Sequence, residues 1–205
     1  MDKVILSSCY FAPINYYKLL LNSKEILIDY HENFIKQTYR NRCVIYSPNG
    51  SLNLIIPLEK RTNHTPMKDV EISYYNNWQK VHWKSLEAAY RRSPYFEFYE
   101  EDFRPFYELK KWKYLIDFNQ EAQELIFSLL DIKSIINYTD KYHSSIDGYT
   151  DFRGMSPKSK SGNDFFDKTV PYSQTFQEKH GFIDNLSILD LLFNEGNNAL
   201  SYLNT

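Results

Sequence analysis

The densest group of side chains able to do chemistry lies in DYHENFIKQTYRNR, where Asp29, His31, Glu32, Lys36, Arg40, Asn41 and Arg42 stand close together. Arginine forks beside a lysine suit a phosphate or carboxylate, which they hold through paired N–H donors. The same run also fits a solvated turn of helix, with Glu32 and Lys36 as an i,i+4 pair contributing about 0.2–0.5 kcal/mol. A second group is WQKVHWKSLEAAY, in which Trp78, His82 and Leu86 share one helical stripe and Tyr90 follows along the same helix. Histidine titrates near neutrality and so suits general acid–base work. A lone histidine on an aromatic face equally suits a satisfied core position. His82 and Glu32 are therefore the candidate catalytic groups, and Lys36, Arg40, Asn41, Arg42 and Tyr90 the candidate substrate-binding ones. Cys9, at the end of the first apolar run, offers a weaker thiol-based alternative with His82 as its base.

A third polar group, Ser187 and Asp190 in DNLSILDLLFNEG, reads as helix punctuation. Ser187 falls at an N-cap and Asp190 at N3, an acidic form of the capping box, with Leu186 and Leu191 as the hydrophobic staple and Gly196 past the helix end. Serine nucleophiles come with a tight elbow or an oxyanion loop, and neither pattern occurs here.

Several function classes are disfavoured by what the chain lacks. With 24 Lys+Arg against 26 Asp+Glu, its formal charge of -2 provides no global field for nucleic acid. The short basic stretch SPKSKSG is read as a solvated loop. No HExxH, CxxC or other metal-ligand spacing is present, so no metal is expected. Neither G-x-G-x-x-G nor the P-loop pattern occurs, and the 6 glycines leave little backbone to cradle a phosphate in those ways. The sequence identifies no cofactor. Cys9 and Cys43 cannot form a disulfide framework, which suggests free thiols in a reducing compartment. The opening apolar run is shorter than a signal-peptide core, and no stretch approaches the roughly 20 apolar residues of a membrane span. A cytoplasmic chain is the expectation, of unknown oligomeric state.

The elements that must position these residues follow from periodicity. KVILSS and EILID read as short buried strands on either side of the helix INYYKLLLNS, an order that predicts a parallel crossover. RCVIYSPNGSLNLII reads as an antiparallel hairpin, its Asn49-Gly50 pair suited to a type I′ turn. VEISY is a further strand candidate, 78–90 a helix ended by Pro94, and FNQEAQELIFSLLDI a helix with Leu125, Ile126, Leu129 and Leu130 as its apolar face. SIINY returns to the sheet, and a long mobile loop is expected over 147–167. The expected fold is α/β: a single domain over 1–205 with a mixed sheet, parallel crossover at the N-terminus plus antiparallel hairpin, flanked by helices.

The runs VILSSCYFAPINYY, ENFIKQTYRNRCVI, NGSLNLIIPLEK, WQKVHWKSLEAAYRRSPYFEFY and YSQTFQEKHGFIDNLSILDLLFNEG together resemble the WbqC-like protein family, in order and through most of the chain. The resemblance implies a cytoplasmic role in bacterial surface-polysaccharide (O-antigen type) biosynthesis. What it implies for activity is a transferase or modifying enzyme acting on a nucleotide-activated sugar or an acyl or amino donor. The alternative is a non-catalytic carbohydrate- or partner-binding protein of the same pathway. Lys36, Asn41, Arg42, His82, Tyr90, Asn185, Ser187 and Asp190 match the family's distinctive polar positions. Ser8-Cys9 stands where many relatives carry Gln-Pro, so no role is carried over for that glutamine. The acidic position before KQTYRNR corresponds to Asp29 or Glu32.

Overall fold

A computed structural model describes residues 2–62, 64–158 and 169–204 of the chain. Strand β1 (Lys3–Ser7) and strand β2 (Glu25–Asp29) pair in parallel register, from Lys3 opposite Glu25 to Ser7 opposite Asp29. Helix α1 (Ile14–Asn22) makes the crossover between them. Pro13 precedes it with φ of -69°, an entry angle the pyrrolidine ring imposes without help from the rest of the fold. Strand β5 (Ile136–Tyr138) adds beyond β2 and β6 (Thr150–Asp151) beside β1, giving the all-parallel order β5-β2-β1-β6. Val4, Ile5 and Leu6 of β1 are all buried, as a central strand covered on both faces requires.

The hairpin also forms, as a two-stranded ribbon separate from that sheet: β3 (Arg42–Ser47) antiparallel to β4 (Gly50–Ile55). Its turn differs from the expected type I′. Ser47 pairs with Gly50, so Pro48 and Asn49 are the central residues, and only Gly50 takes positive φ, at 96°. Proline explains the choice, because its fixed φ suits the first central position of an ordinary turn and leaves the left-handed residue to the following glycine.

Helices α2 (Trp78–Tyr90), α3 (Phe96–Glu108) and α4 (Leu115–Leu129) pack an aromatic core against the loop after β1. The Phe11 ring lies 5.6 Å from Phe103, 6.0 Å from Phe106 and 6.3 Å from Phe118. Phe11 itself has φ of 36°, a strained backbone for a side chain of its size, held because the ring is locked among its neighbours. Its carbonyl accepts the Ser187 hydroxyl at 2.7 Å. Beyond the short α5 (Gln177–His180), α6 (Ile188–Glu195) and α7 (Ala199–Leu203) cover α1.

Other elements also differ from expectation. VEISY is no regular strand: Leu58–Ile72 and Glu71–Tyr114 are isolated bridges, and Pro57 beside them has no N–H with which to extend a ladder. In α4 the helix starts earlier and its buried stripe runs through Leu115, Phe118, Asn119, Ala122 and Ile126, so Leu125 and Leu129 are only half-buried. Helix α3 is absent from the expected elements, because Pro105 inside it and the charged run before it mask an apolar stripe of Phe96, Tyr99, Phe103, Phe106 and Tyr107. Of the stretch 147–167 read as a loop, Thr150–Asp151 forms β6, Phe152 and Arg153 are buried, and residues 159–167 lie outside the described residues.

Gly196 ends α6 with φ of 57°, and a Cβ there would lie 2.7 Å from the Tyr95 ring. Gly196→Ala is expected to lose about 1–3 kcal/mol of stability from strained backbone and overpacking together, read from the midpoint of urea unfolding.

Candidate functional site

In a parallel sheet every strand ends at the same edge, and ligands sit beyond the carboxyl ends where chain connections diverge to either side. Here β1 leads to β2 on one side while β6 arrives on the other, so the divergence falls at β1. A cleft of about 570 Å³ opens at this edge, lined by Glu32 and Asn33 after β2, Asp151, Arg153 and Gly154 at β6, and Ile35 and Tyr142 at the rim. Ile35 and Tyr142 are both more than half exposed.

Beneath the cleft lies a buried charge network. Asp29, the last residue of β2, is fully buried. One carboxylate oxygen accepts the backbone N–H groups of His31 and Glu32 at 2.9 and 3.0 Å and the Thr139 hydroxyl at 2.9 Å. The other accepts Arg153 Nη1 at 2.6 Å. These bonds curl the chain out of β2 and aim Glu32 toward the sheet edge. Glu32 then accepts Arg40 Nε at 2.9 Å and Nη2 at 2.5 Å, a bidentate pair with both side chains almost wholly buried. Arg40 Nη2 also reaches the Arg153 carbonyl at 3.1 Å, and Asn119 Nδ2 donates to the Arg40 carbonyl at 2.8 Å. Arg40 Nη1 is buried with no hydrogen-bond partner among the described residues.

Arg153 is saturated. Its guanidinium donates to Asp151, to Asp29 and to the carbonyls of His143 and Ser144. The network thus sets three carboxylates against two guanidinium groups. Burial pushes the Glu32 carboxyl above the usual carboxylate range, and Arg40 only partly pulls it back. Burial also pushes Asp151 up, but the Arg153 donors outweigh it and hold that carboxyl below its usual range. Cys9, nearby in the β1–α1 loop, has its thiol pushed up to about 12 by burial, with Arg40 opposing. Its Sγ contacts the Ser7 carbonyl at 3.5 Å, so a thiolate nucleophile is not formed there.

The structure does not gather the sequence-predicted residues in one hollow. Glu32 and Arg40 are together. Lys36 is exposed on the loop between them. Asn41 Nδ2 donates to the Ile56 carbonyl at 2.8 Å, tying down the base of the hairpin. Arg42 opens β3 opposite Ile55, half-buried, its Nε buried and unpartnered among the described residues. His82 lies in the aromatic core, where Nδ1 meets the Tyr10 hydroxyl at 3.0 Å and that hydroxyl meets Tyr107 at 2.9 Å. Burial lowers its pKa to about 4, with the Ile55 carbonyl opposing, so the ring is neutral at pH 7 and a weak base. Tyr90 donates to Asp190 at 2.8 Å and accepts the Tyr46 N–H at 3.1 Å.

Ser187 caps α6 as expected, its hydroxyl oxygen accepting the Leu189 N–H at 3.3 Å. The expected capping-box role of Asp190 is not found, because the N-cap amide of Ser187 is taken by the Val44 carbonyl at 2.8 Å. Asp190 instead turns inward and accepts Tyr90, Tyr172 at 2.6 Å and Gln174 at 3.1 Å, with no cation in the set. Asp151 and Arg153 are the residues missed. Their only signal is an aspartate and an arginine two positions apart around a phenylalanine in DFRG, a spacing that a strand puts on one face. Among the described residues no three His, Cys, Asp or Glu side chains group in a way that could hold a metal ion, and no helix is long and apolar enough to cross a membrane.

A parallel α/β core with its cleft at the carboxyl edge defines the architectural class. The chain belongs to the WbqC-like protein family, matched over residues 8–151. It is also 27% identical over 228 aligned positions to "Uncharacterized protein Rv1507c" of Mycobacterium tuberculosis, covering 99% of this chain and 98% of that protein. No solved structure matches.

Two outcomes are expected. Glu32→Ala leaves the Arg40 guanidinium buried and unpaired and should lose about 3–5 kcal/mol in urea unfolding, whereas Glu32→Leu combined with Arg40→Met should recover most of it. For Asp190, burial raises the carboxyl from 3.8 to about 6 against the pull of its three donors. Its native pKa therefore exceeds the unfolded one, and its contribution is most favourable below pH 4 and is lost as pH rises through 6. The shift corresponds to about 2–3 kcal/mol. Melting curves of wild type and Asp190→Asn should diverge across that window, the asparagine chain losing less stability as pH increases; parallel curves would contradict the assignment.

Proposed function

We propose that this protein is a transferase or modifying enzyme of surface-polysaccharide biosynthesis, acting on a nucleotide-activated sugar or a related acyl or amino donor bound in the cleft at the carboxyl edge of β1, β2 and β6. The observation that carries the reading is Glu32: a carboxylate raised by burial, fixed by a bidentate arginine, and facing an open cleft at the strand ends. A carboxyl held in that state suits proton transfer at an acceptor hydroxyl. Family membership supports the substrate class through the association of that family with O-antigen clusters. The Tyr142 ring at the rim suits stacking on a base or sugar, and Lys36, exposed on the adjoining loop, suits an anionic group. His82 is assigned a positioning role for Tyr10 rather than a catalytic one.

A second reading, a non-catalytic carbohydrate-binding protein of the same pathway, is favoured by the engagement of Arg153 and Asp29 within the protein itself. Titration calorimetry with a panel of UDP-, GDP- and CMP-sugars separates the two. The enzyme reading expects binding of one of these, about tenfold weaker in Tyr142→Ala. It also expects turnover with a suitable acceptor that Glu32→Gln abolishes, in a chain shown folded by circular dichroism. Binding without turnover across acceptors selects the second reading. Absence of binding by every activated sugar rejects the nucleotide-sugar donor.

A further inference from the structure

The β3–β4 ribbon has two edges, and the fold treats them differently. Ile56 donates to the Asn41 carbonyl, which fixes the alternation: Val44 and Tyr46 of β3, and Ser51, Asn53 and Ile55 of β4, turn their backbone N–H and C=O groups outward. On β3 one group of each residue is taken, the Val44 carbonyl by the Ser187 N–H and the Tyr46 N–H by the Tyr90 hydroxyl. On β4 the Ile55 carbonyl faces His82, whereas the N–H and C=O groups of Ser51 and Asn53 have no partner among the described residues. Such an edge is usually blunted by a charge, a proline or a bulge. The strand GSLNLI carries no charged residue and no proline.

A groove runs along this edge with α2 as its opposite wall. Two adjoining cavities of about 380 and 630 Å³ share Leu52, Val81 and Ser85. Val81 is 61% exposed and Ile55 42% exposed, so both walls are apolar and bare. In a chain of net charge -2, no Asp or Glu lines either cavity, while Lys80 and Lys84 do. Lys84 pairs with Glu87 outside the groove, and Lys179 and His180 sit on the Pro48 carbonyl at its turn end. A groove with a helix as one wall admits a single extended segment.

We propose that the outer edge of β4 is a docking site for an extended segment of a partner protein whose α2-facing side chains, every second residue, are in turn apolar and acidic. The segment adds as a third strand through Ser51 and Asn53; every second side chain faces α2, the apolar ones meeting Leu52 and Val81 and the carboxylates meeting Lys80 and Lys84. This site is separate from the cleft and does not rest on the function proposed for it.

Hydrogen–deuterium exchange on the full chain, with and without a capped Val-Ser-Asp-Ser-Val-Ser-Asp peptide, tests the proposal. In the free protein the Ser51 and Asn53 amides should exchange rapidly while Leu52 and Leu54 are protected; the peptide should slow the former at least tenfold. A proline at the centre of the peptide, replacement of its Asp by Lys, or Lys80→Glu with Lys84→Glu in the protein should each weaken binding by tenfold or more. The proposal is overturned if those amides are already slow, if no peptide protects them, or if the proline and lysine peptides bind as well as the acidic one. Protection that instead grows with protein concentration alone would assign the edge to a second copy of this chain and equally overturn it.

Discussion

The carboxylate of Asp29 is fully buried at the end of a central strand, and the organisation of the cleft follows from how its charge is answered. Leaving such a group unpaired in a low-dielectric interior costs several kcal/mol, so the fold must deliver donors to it. It receives two amides from the chain that has just left β2, a hydroxyl from Thr139 after β5, and the Arg153 guanidinium after β6. Three strand ends that are far apart in sequence are thereby fixed at one point. The turn that satisfies Asp29 also sets Glu32, which holds Arg40, whose Nη2 returns to the Arg153 carbonyl and closes the circuit.

A circuit of that kind has a structural consequence. Its charges are spent mainly on one another, which makes the floor of the cleft rigid and leaves it with more carboxylate than guanidinium. The circuit also fixes the geometry of Glu32 before any ligand arrives, the pre-organisation that the role proposed for it requires. On the proposed reading, ligand grip comes from the rim, where Ile35, Tyr142 and Lys36 are exposed, and not from the arginines beneath.

Two other polar clusters show the same physics applied to stability. His82 is kept neutral between Tyr10 and the Ile55 carbonyl, joining α2 to the loop after β1 and to the hairpin. Asp190 draws Tyr90 from α2 and the 172–174 segment onto α6, and Tyr90 in turn caps the inner edge of the ribbon. The side of the ribbon facing the protein is thus partly capped, by the Tyr90 hydroxyl and the Ser187 N–H, while the Ser51 and Asn53 groups on its outer side have no partner among the described residues.

Local rules were legible in the sequence. Periodicity placed β1, α1, β2, the hairpin strands and α2, because each is set by neighbours within a turn or a strand length. Ser187 as a cap was legible for the same reason, as was the richness of DYHENFIKQTYRNR in groups that could form a site. Local rules also misled where two of them competed: Pro48 overrode the Asn-Gly turn preference, and Pro105 hid α3. What only the tertiary structure decided is which polar residues meet. Glu32 and Arg40 pair with each other rather than with a ligand. Asp190 abandons its helix terminus for two distant tyrosines, and Arg153, sitting in a stretch of loop-like composition, becomes the central rivet. The reason is that a buried charge is satisfied by whatever donors the packed chain brings within about 3 Å, and that distance depends on strand order, which no short window of sequence encodes.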